Sequence, residues 1–392
     1  MTTHVFIVDD NTFKYHLEYM FAGTGANAKK IGKVKQEYVI DFNNSSETTL
    51  YEREKQAAEK MLVGMMADGC RVRKDDLIIF YLVEKQNGHE GMFFGVFQAA
   101  EDGIFLDNFD ENQFLYKELK KSLTFRLKIK PYQVYAKGVT EWEALDEIKN
   151  ICSPYQMLWS LIYRKLKGNR GNTMITTYES KRLISLIRQK NKNQTLNFCD
   201  YTFDERNIIE GENHKEYAGR TEKINISPRL LAKAGKKQAF EAHLQMYITQ
   251  NIGRGTNKSL DKALNAEENI EWIGNEVSCG LGLQRIDVMI SKTINENQKI
   301  VMPIELKAVA ASFDNTRQLG RYVEWIKQYY VPNSPESDIQ PVLICLKNKQ
   351  LSDNLKNAFN VFNQENNVLP LRYIEYEILE NNLVFKTVDY QK

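Results

Sequence analysis

Three charged residues interrupt two apolar runs in the stretch from Gln284 to Ala308, QRIDVMISKTINENQKIVMPIELKA. Asp287 lies in RIDVMI, and Glu305 and Lys307 lie in VMPIELKAV, on either side of a polar turn. Residues two apart on a strand share a face, so Glu305 and Lys307 point away from Met302, Ile304 and Leu306. By the same alternation Asp287 points away from Ile286, Val288 and Ile290. Paired as a hairpin, the two runs bring two carboxylates and an ammonium together. Carboxylates converging in a partly buried site stay ionised together only beside a compensating cation. Hard oxygen donors completed by water favour magnesium, or manganese in its place. Such an ion lowers the pKa of bound water and stabilises charge developing on a phosphodiester, while Lys307 orients the water or supports that charge. The chemistry expected is hydrolysis of nucleic acid.

Helices must complete such a site from either side. In FEAHLQMYITQNIG, Glu241, Leu244 and Ile248 share a stripe, which sets an acid on or beside the packing face. Beyond the strands, QLGRY places Gln318 and Tyr322 at i and i+4 on one helical face. Asp287, Glu305-Leu306-Lys307 and this Gln-x-x-x-Tyr helix together resemble the PD-(D/E)XK nuclease superfamily, in particular its RecB-like and NucS-like members. GLGLQRID is similar to the glycine-containing turn before the NucS-like aspartate, and RYVEWIKQYY to the corresponding helix. The resemblance runs from Glu241 to Tyr322. It implies a restriction-endonuclease-like core in which Asp287 and Glu305 hold the metal, Lys307 serves the water, Glu241 lies beside the metal, and Gln318 and Tyr322 face the active site. Pro303 departs from the pattern, because proline is disfavoured inside a central strand; it implies a strand start or a bulge.

Arg285, Arg317 and Arg321 neighbour these residues in sequence and are the first candidates for DNA phosphates. Arg317 and Arg321, four apart on a helix, repel one another and favour an anionic partner. Arg164, Lys167 and Arg170, in the basic, glycine-containing RKLKGNRGNT, are a second candidate set. A formal net charge of +2 neither demands nor excludes a polyanion. Five cysteines with no CxxC pair and five histidines with no HxxxH spacing signal neither zinc nor a disulfide framework.

At 392 residues the chain is long enough for two or three domains, and 42% hydrophobic with 27% charged residues is ordinary globular composition. No leader-like opening and no membrane-length apolar run are present, so a cytoplasmic protein without a membrane partner is expected. The pattern predicts an α/β chain, α+β overall: a recognition domain over 1–210 with a helical tail from about 153, a linker over 211–237, and a mixed-sheet nuclease domain over 238–392. In the first domain DLIIFYLVEKQNGHEGMFFGVF predicts a hairpin and looks like the strand pair of PUA-like and EVE-like domains. There Trp142, Trp159, Tyr81 or Phe94 would either stack on a flipped base or pack a core. The whole implies a metal-dependent endonuclease on double-stranded DNA, a restriction or modification-dependent enzyme. Cutting both strands commonly needs two active sites, hence a homodimer. A repair endonuclease for mismatched or branched DNA and an inactive DNA binder are the alternatives.

Overall fold

The two β-rich runs LIIFYL and MFFGVFQA pair antiparallel, as their alternation with a turn-rich spacer predicts, and they form the middle of the first of two large sheets. The computed structural model describes residues 1–25, 53–86, 88–107, 112–146, 171–266, 270–279, 284–295, 298–330, 337–380 and 382–391. The chain is α+β, with mixed sheets in both of its compact units, one ending at Ile224 and the other spanning Asn225 to Lys392.

The first unit contains β1 (Thr3–Val8), α1 (Asp10–Glu18), β2 (Phe21–Thr24), α2 (Arg53–Gly69), β3 (Leu77–Leu82), β4 (Met92–Ala99), β5 (Phe105–Leu106), α3 (Tyr116–Leu119), β6 (Phe125–Pro131), β7 (Val139–Thr140), α4 (Glu141–Asp146), β8 (Asn172–Ile175), α5 (Thr177–Lys190), β9 (Tyr201–Phe203), β10 (Ile208–Glu210) and β11 (Glu222–Lys223). Its main sheet runs β11-β5-β6-β4-β3-β1-β8, with β1 and β3 parallel. Helix α5 starts where the spacing predicts: Thr176 accepts from the Glu179 N–H at 3.2 Å, and the Glu179 carboxylate accepts from the Thr176 N–H at 2.7 Å. Two of the four aromatic stacking candidates are core residues. Phe94 is fully buried against Phe13 and Phe203, and Tyr81 is buried with its hydroxyl donating to Glu141. Neither can meet a base. Trp142 is 63% exposed, and Trp159 lies outside the described residues.

The stretch 211–237, read as a linker from its polarity, carries β11 and a helix, α6 (Ser227–Gly235). A proline in the first turn and the burial of Ile226 and Leu230 account for that helix. The second unit continues with α7 (Glu241–Asn251), α8 (Lys258–Leu264), β12 (Ile270–Ser278), β13 (Arg285–Asn295), β14 (Gln298–Lys307), α9 (Phe313–Trp325) leading into a π-turn (Ile326–Tyr330), β15 (Ser337–Ile339), β16 (Val342–Leu346), α10 (Asp353–Asn366), β17 (Arg372–Leu379) and β18 (Asn382–Thr387). Its sheet runs β12-β13-β14-β16-β17-β18, and β15 also pairs with β14. The sequence EVSCGLGLQRIDVMI is the end of β12 and the start of β13, which lie antiparallel. Its glycines fall between them, and Cys279 N–H donates to the Gln284 carbonyl at 3.0 Å. Strands β14, β16 and β17 are parallel; such neighbours need crossovers, which α9 and α10 supply.

Pro303 sits inside β14, opposite Met289 of β13, without ending the strand. The Val301 carbonyl, two residues earlier, accepts from Gln340 N–H at 2.9 Å on the opposite side of β14. By the period of two, the Pro303 nitrogen faces that same side, where β15 ends at Ile339 and β16 begins at Val342. The missing N–H therefore points at a break in the neighbouring strand, and the ladder to β13 stays intact.

Candidate active site

The β13–β14 ladder pairs Val288 with Ile304, so its next step sets Asp287 opposite Glu305. Ile286, Val288, Met302, Ile304 and Leu306 are buried on the other face, which fixes the register: a slip by one residue would turn the acids into that core. Asp287 Oδ2 accepts the Leu306 N–H at 2.8 Å, tying the first carboxylate to the strand that bears the second. Glu305 is fully buried, and its Oε1 meets the Lys307 ammonium, which is 22% exposed. The expected convergence of Asp287, Glu305 and Lys307 is present.

Tyr322 of α9 reaches the same point. Its hydroxyl lies 2.9 Å from Glu305 Oε2 and 2.7 Å from the Arg285 carbonyl, and it receives the Gln318 amide at 2.7 Å. Gln318 and Tyr322 thus face the acids together, as their spacing predicts. A phenol has one proton, so with Gln318 donating to it, it can donate to only one of the two oxygens. Whether it donates to the Glu305 carboxylate or to the Arg285 carbonyl, the hydroxyl lies within hydrogen-bond reach of the acid, the strand backbone and the Gln318 amide at once. Replacing Tyr322 by Phe removes this junction, and the expected loss of about 1–3 kcal/mol would be read by urea unfolding.

Burial, then the charge of Glu305, holds the Asp287 carboxyl well above the usual carboxylate range, against the Leu306 N–H and Lys307. Glu305 is also raised, chiefly by burial, although Lys307 and Tyr322 pull it down. For Lys307, burial lowers the pKa but the charge of Glu305 more than offsets it, and the ammonium is held above its ordinary value. Burial and then the negative charges of Glu305 and Asp287 push the Tyr322 phenol up. The site is a pair of carboxyls whose joint ionisation one lysine does not fully compensate.

Glu241, in the first turn of α7, is exposed, and its Oε1 lies 3.5 Å from the Ala308 N–H, just beyond Lys307. It stands at the rim. Leu244 and Ile248 are fully buried, and most of α7 is buried around them. Gln245, one turn past Glu241, is a site residue the sequence reading missed; its buried side chain donates to the Asp287 carbonyl. The available signal was a glutamine among apolar residues, four positions after the acid. A second missed residue is Glu276 of β12, whose Oε2 accepts from Arg285 Nη1 at 3.0 Å.

Of the DNA-binding candidates, Arg285 adjoins the acids, and Arg317 and Arg321 lie exposed on α9, Arg317 beside Asp314 at 3.8 Å. Arg164, Lys167 and Arg170 fall outside the described residues. Among the described residues no group of three or more His, Cys, Asp and Glu side chains could by itself cage a metal. Asp287 and Glu305 nevertheless fit a hard divalent ion: both donors are oxygen, they face one another, and their charge is undercompensated. Such an ion keeps most of its coordination for water and substrate.

No protein-family model matches the chain, and no curated protein matches it. A solved structure of the restriction endonuclease FokI bound to DNA is similar at 9% identity and a TM-score of 0.21, over 50% of this chain. The match spans 36% of that chain, about a third of its length. Among the described residues no helix is long and apolar enough to cross a membrane.

Proposed function

We propose that the second unit is a magnesium- or manganese-dependent endonuclease that hydrolyses phosphodiester bonds of double-stranded DNA. One observation carries this reading: Asp287 and Glu305 face each other across two paired strands, one half-buried and the other fully buried, with Lys307 on Glu305. A structural ion pair would match charge for charge; here two acids share one ammonium. Asp287 and Glu305 would hold the divalent ion, which supplies an acidified water and offsets charge on the phosphate. Lys307 stands where it can orient the water or stabilise the developing negative charge. Gln318 and Tyr322 fix the Glu305 carboxylate from the helix side, and Glu241 stands at the rim. Exposed Arg285, Arg317 and Arg321 would meet DNA phosphates, sequence-independently. The first unit would then select where the second cuts, as in a restriction or modification-dependent enzyme.

The test is incubation with magnesium and plasmids carrying unmodified, methylated or hydroxymethylated cytosine, beside mismatched duplexes. Cleavage of at least one substrate, lost on chelation, is expected. DNA binding without any cleavage would point instead to an inactive binder, and cleavage confined to mismatches to a repair enzyme. Thermal melting gives an independent readout: Mg2+ should raise the wild-type melting temperature by binding the folded state, and should leave Asp287→Asn unmoved.

A further inference from the structure

The β12–β13 ladder pairs Asn275 with Val288 and Val277 with Ile286, so Glu276 falls opposite Asp287. Its backbone is left-handed there, with φ of +52°, a conformation glycine adopts freely and a glutamate rarely does. Its carboxylate is bonded to Arg285 Nη1 at 3.0 Å. Arg285 is two residues before Asp287 on β13 and shares its face. The Arg285 carbonyl in turn accepts from the Tyr322 hydroxyl at 2.7 Å, so this residue is tied to the acid pair through its backbone and to Glu276 through its side chain. The ion pair uses one of the five guanidinium N–H donors, and the arginine side chain stays 46% exposed.

We propose that Glu276 is a positioning residue that holds the Arg285 guanidinium at the edge of the Asp287–Glu305 pair, where it receives a DNA phosphate; this rests on the nuclease reading above. A free arginine loses rotamer freedom on meeting a phosphate, and a side chain already held in place has less to lose. A bidentate fork is the geometry that suits a phosphate. Glu276 therefore acts on DNA binding through Arg285, without touching the substrate.

A double-mutant cycle tests this, with Glu276→Ala, Arg285→Ala and the double variant assayed on a plasmid in Mg2+. Each single change should lower kcat/KM by about 10-fold, mostly through KM, and the double variant should be no worse than Arg285→Ala alone. The salt dependence of duplex binding should lose about one phosphate contact in Arg285→Ala and none in Glu276→Ala. Glu276→Gly separates positioning from folding: it suits the left-handed backbone, so it should melt no lower than wild type and still show the KM loss. Additive losses in the cycle would overturn the proposal. Tighter DNA binding by Glu276→Ala would also overturn it, because Glu276 would then be competing with the phosphate. If the wild type cuts no duplex, the nuclease reading fails and this proposal falls with it; wild-type cleavage with additive losses removes the positioning role alone.

Discussion

Asp287→Asn is expected to abolish DNA cleavage and to raise the melting temperature at pH 8. The amide keeps an oxygen for the Leu306 N–H and removes a charge that burial and Glu305 both disfavour. Because both carboxyls are raised, the folded state holds more protons than the unfolded one above the ordinary carboxylate range of about 4. Their contribution to stability is thus fully present below that range and is lost as pH rises through the raised folded values. The asparagine variant should escape part of that loss, so its melting temperature should exceed wild type by a few degrees, about 2–4 °C per kcal/mol, and vary less with pH. Cleavage should fall by more than the about 10–100-fold that follows removal of an outer partner of a metal ligand. Scanning calorimetry at pH 5 and pH 8 beside a plasmid assay checks both halves. A variant that still cuts would refute the site; one that cuts nothing but melts lower than wild type at pH 8 would refute the electrostatic account.

Lys307→Met carries the opposite sign in stability. It takes the ammonium away from a fully buried carboxylate, and breaking a buried pair costs about 3–5 kcal/mol, toward the lower end here because Lys307 is 22% exposed. Without the ammonium Glu305 keeps its proton to higher pH, so the variant should approach wild type near pH 4 and lose most at pH 8. Cleavage should fall by about 10²–10³-fold if Lys307 stabilises the developing charge. Urea unfolding at both pH values and single-turnover cleavage measure the two effects. The pair of variants is informative together: both impaired in cleavage, one more stable and one less. A lysine serving only as a surface charge would change neither.

Much of the candidate site's geometry was legible because its rules are local. Alternation by two set Asp287, Glu305 and Lys307 on their faces, and the i,i+4 spacing set Gln318 beside Tyr322. What escaped depends on facts no window of sequence contains. Glu276 meets Arg285 through the register of two strands and a left-handed residue inside one of them. Gln245 matters because helix α7 packs its middle onto the backbone of Asp287. The boundary between β12 and β13 is hard to read because CGLGLQRID continues an apolar run through its glycines, and β18 is short, with only Leu383, Val384 and Phe385 as its apolar run. Pro303, the residue that most threatened the strand by local rules, is accommodated by a gap between β15 and β16, two short strands more than thirty residues away.

The Tyr322 hydroxyl joins a strand carbonyl at 285, a carboxylate at 305 and an amide at 318, so the oxygen at residue 322 closes a network begun some forty residues earlier. A chain still on the ribosome that has released β13 and β14 but not α9 holds both acids without their third anchor. On the nuclease reading, competence at this site should therefore switch on late in synthesis, with the last turns of α9, and a truncated product ending before Phe313 should be inert toward DNA.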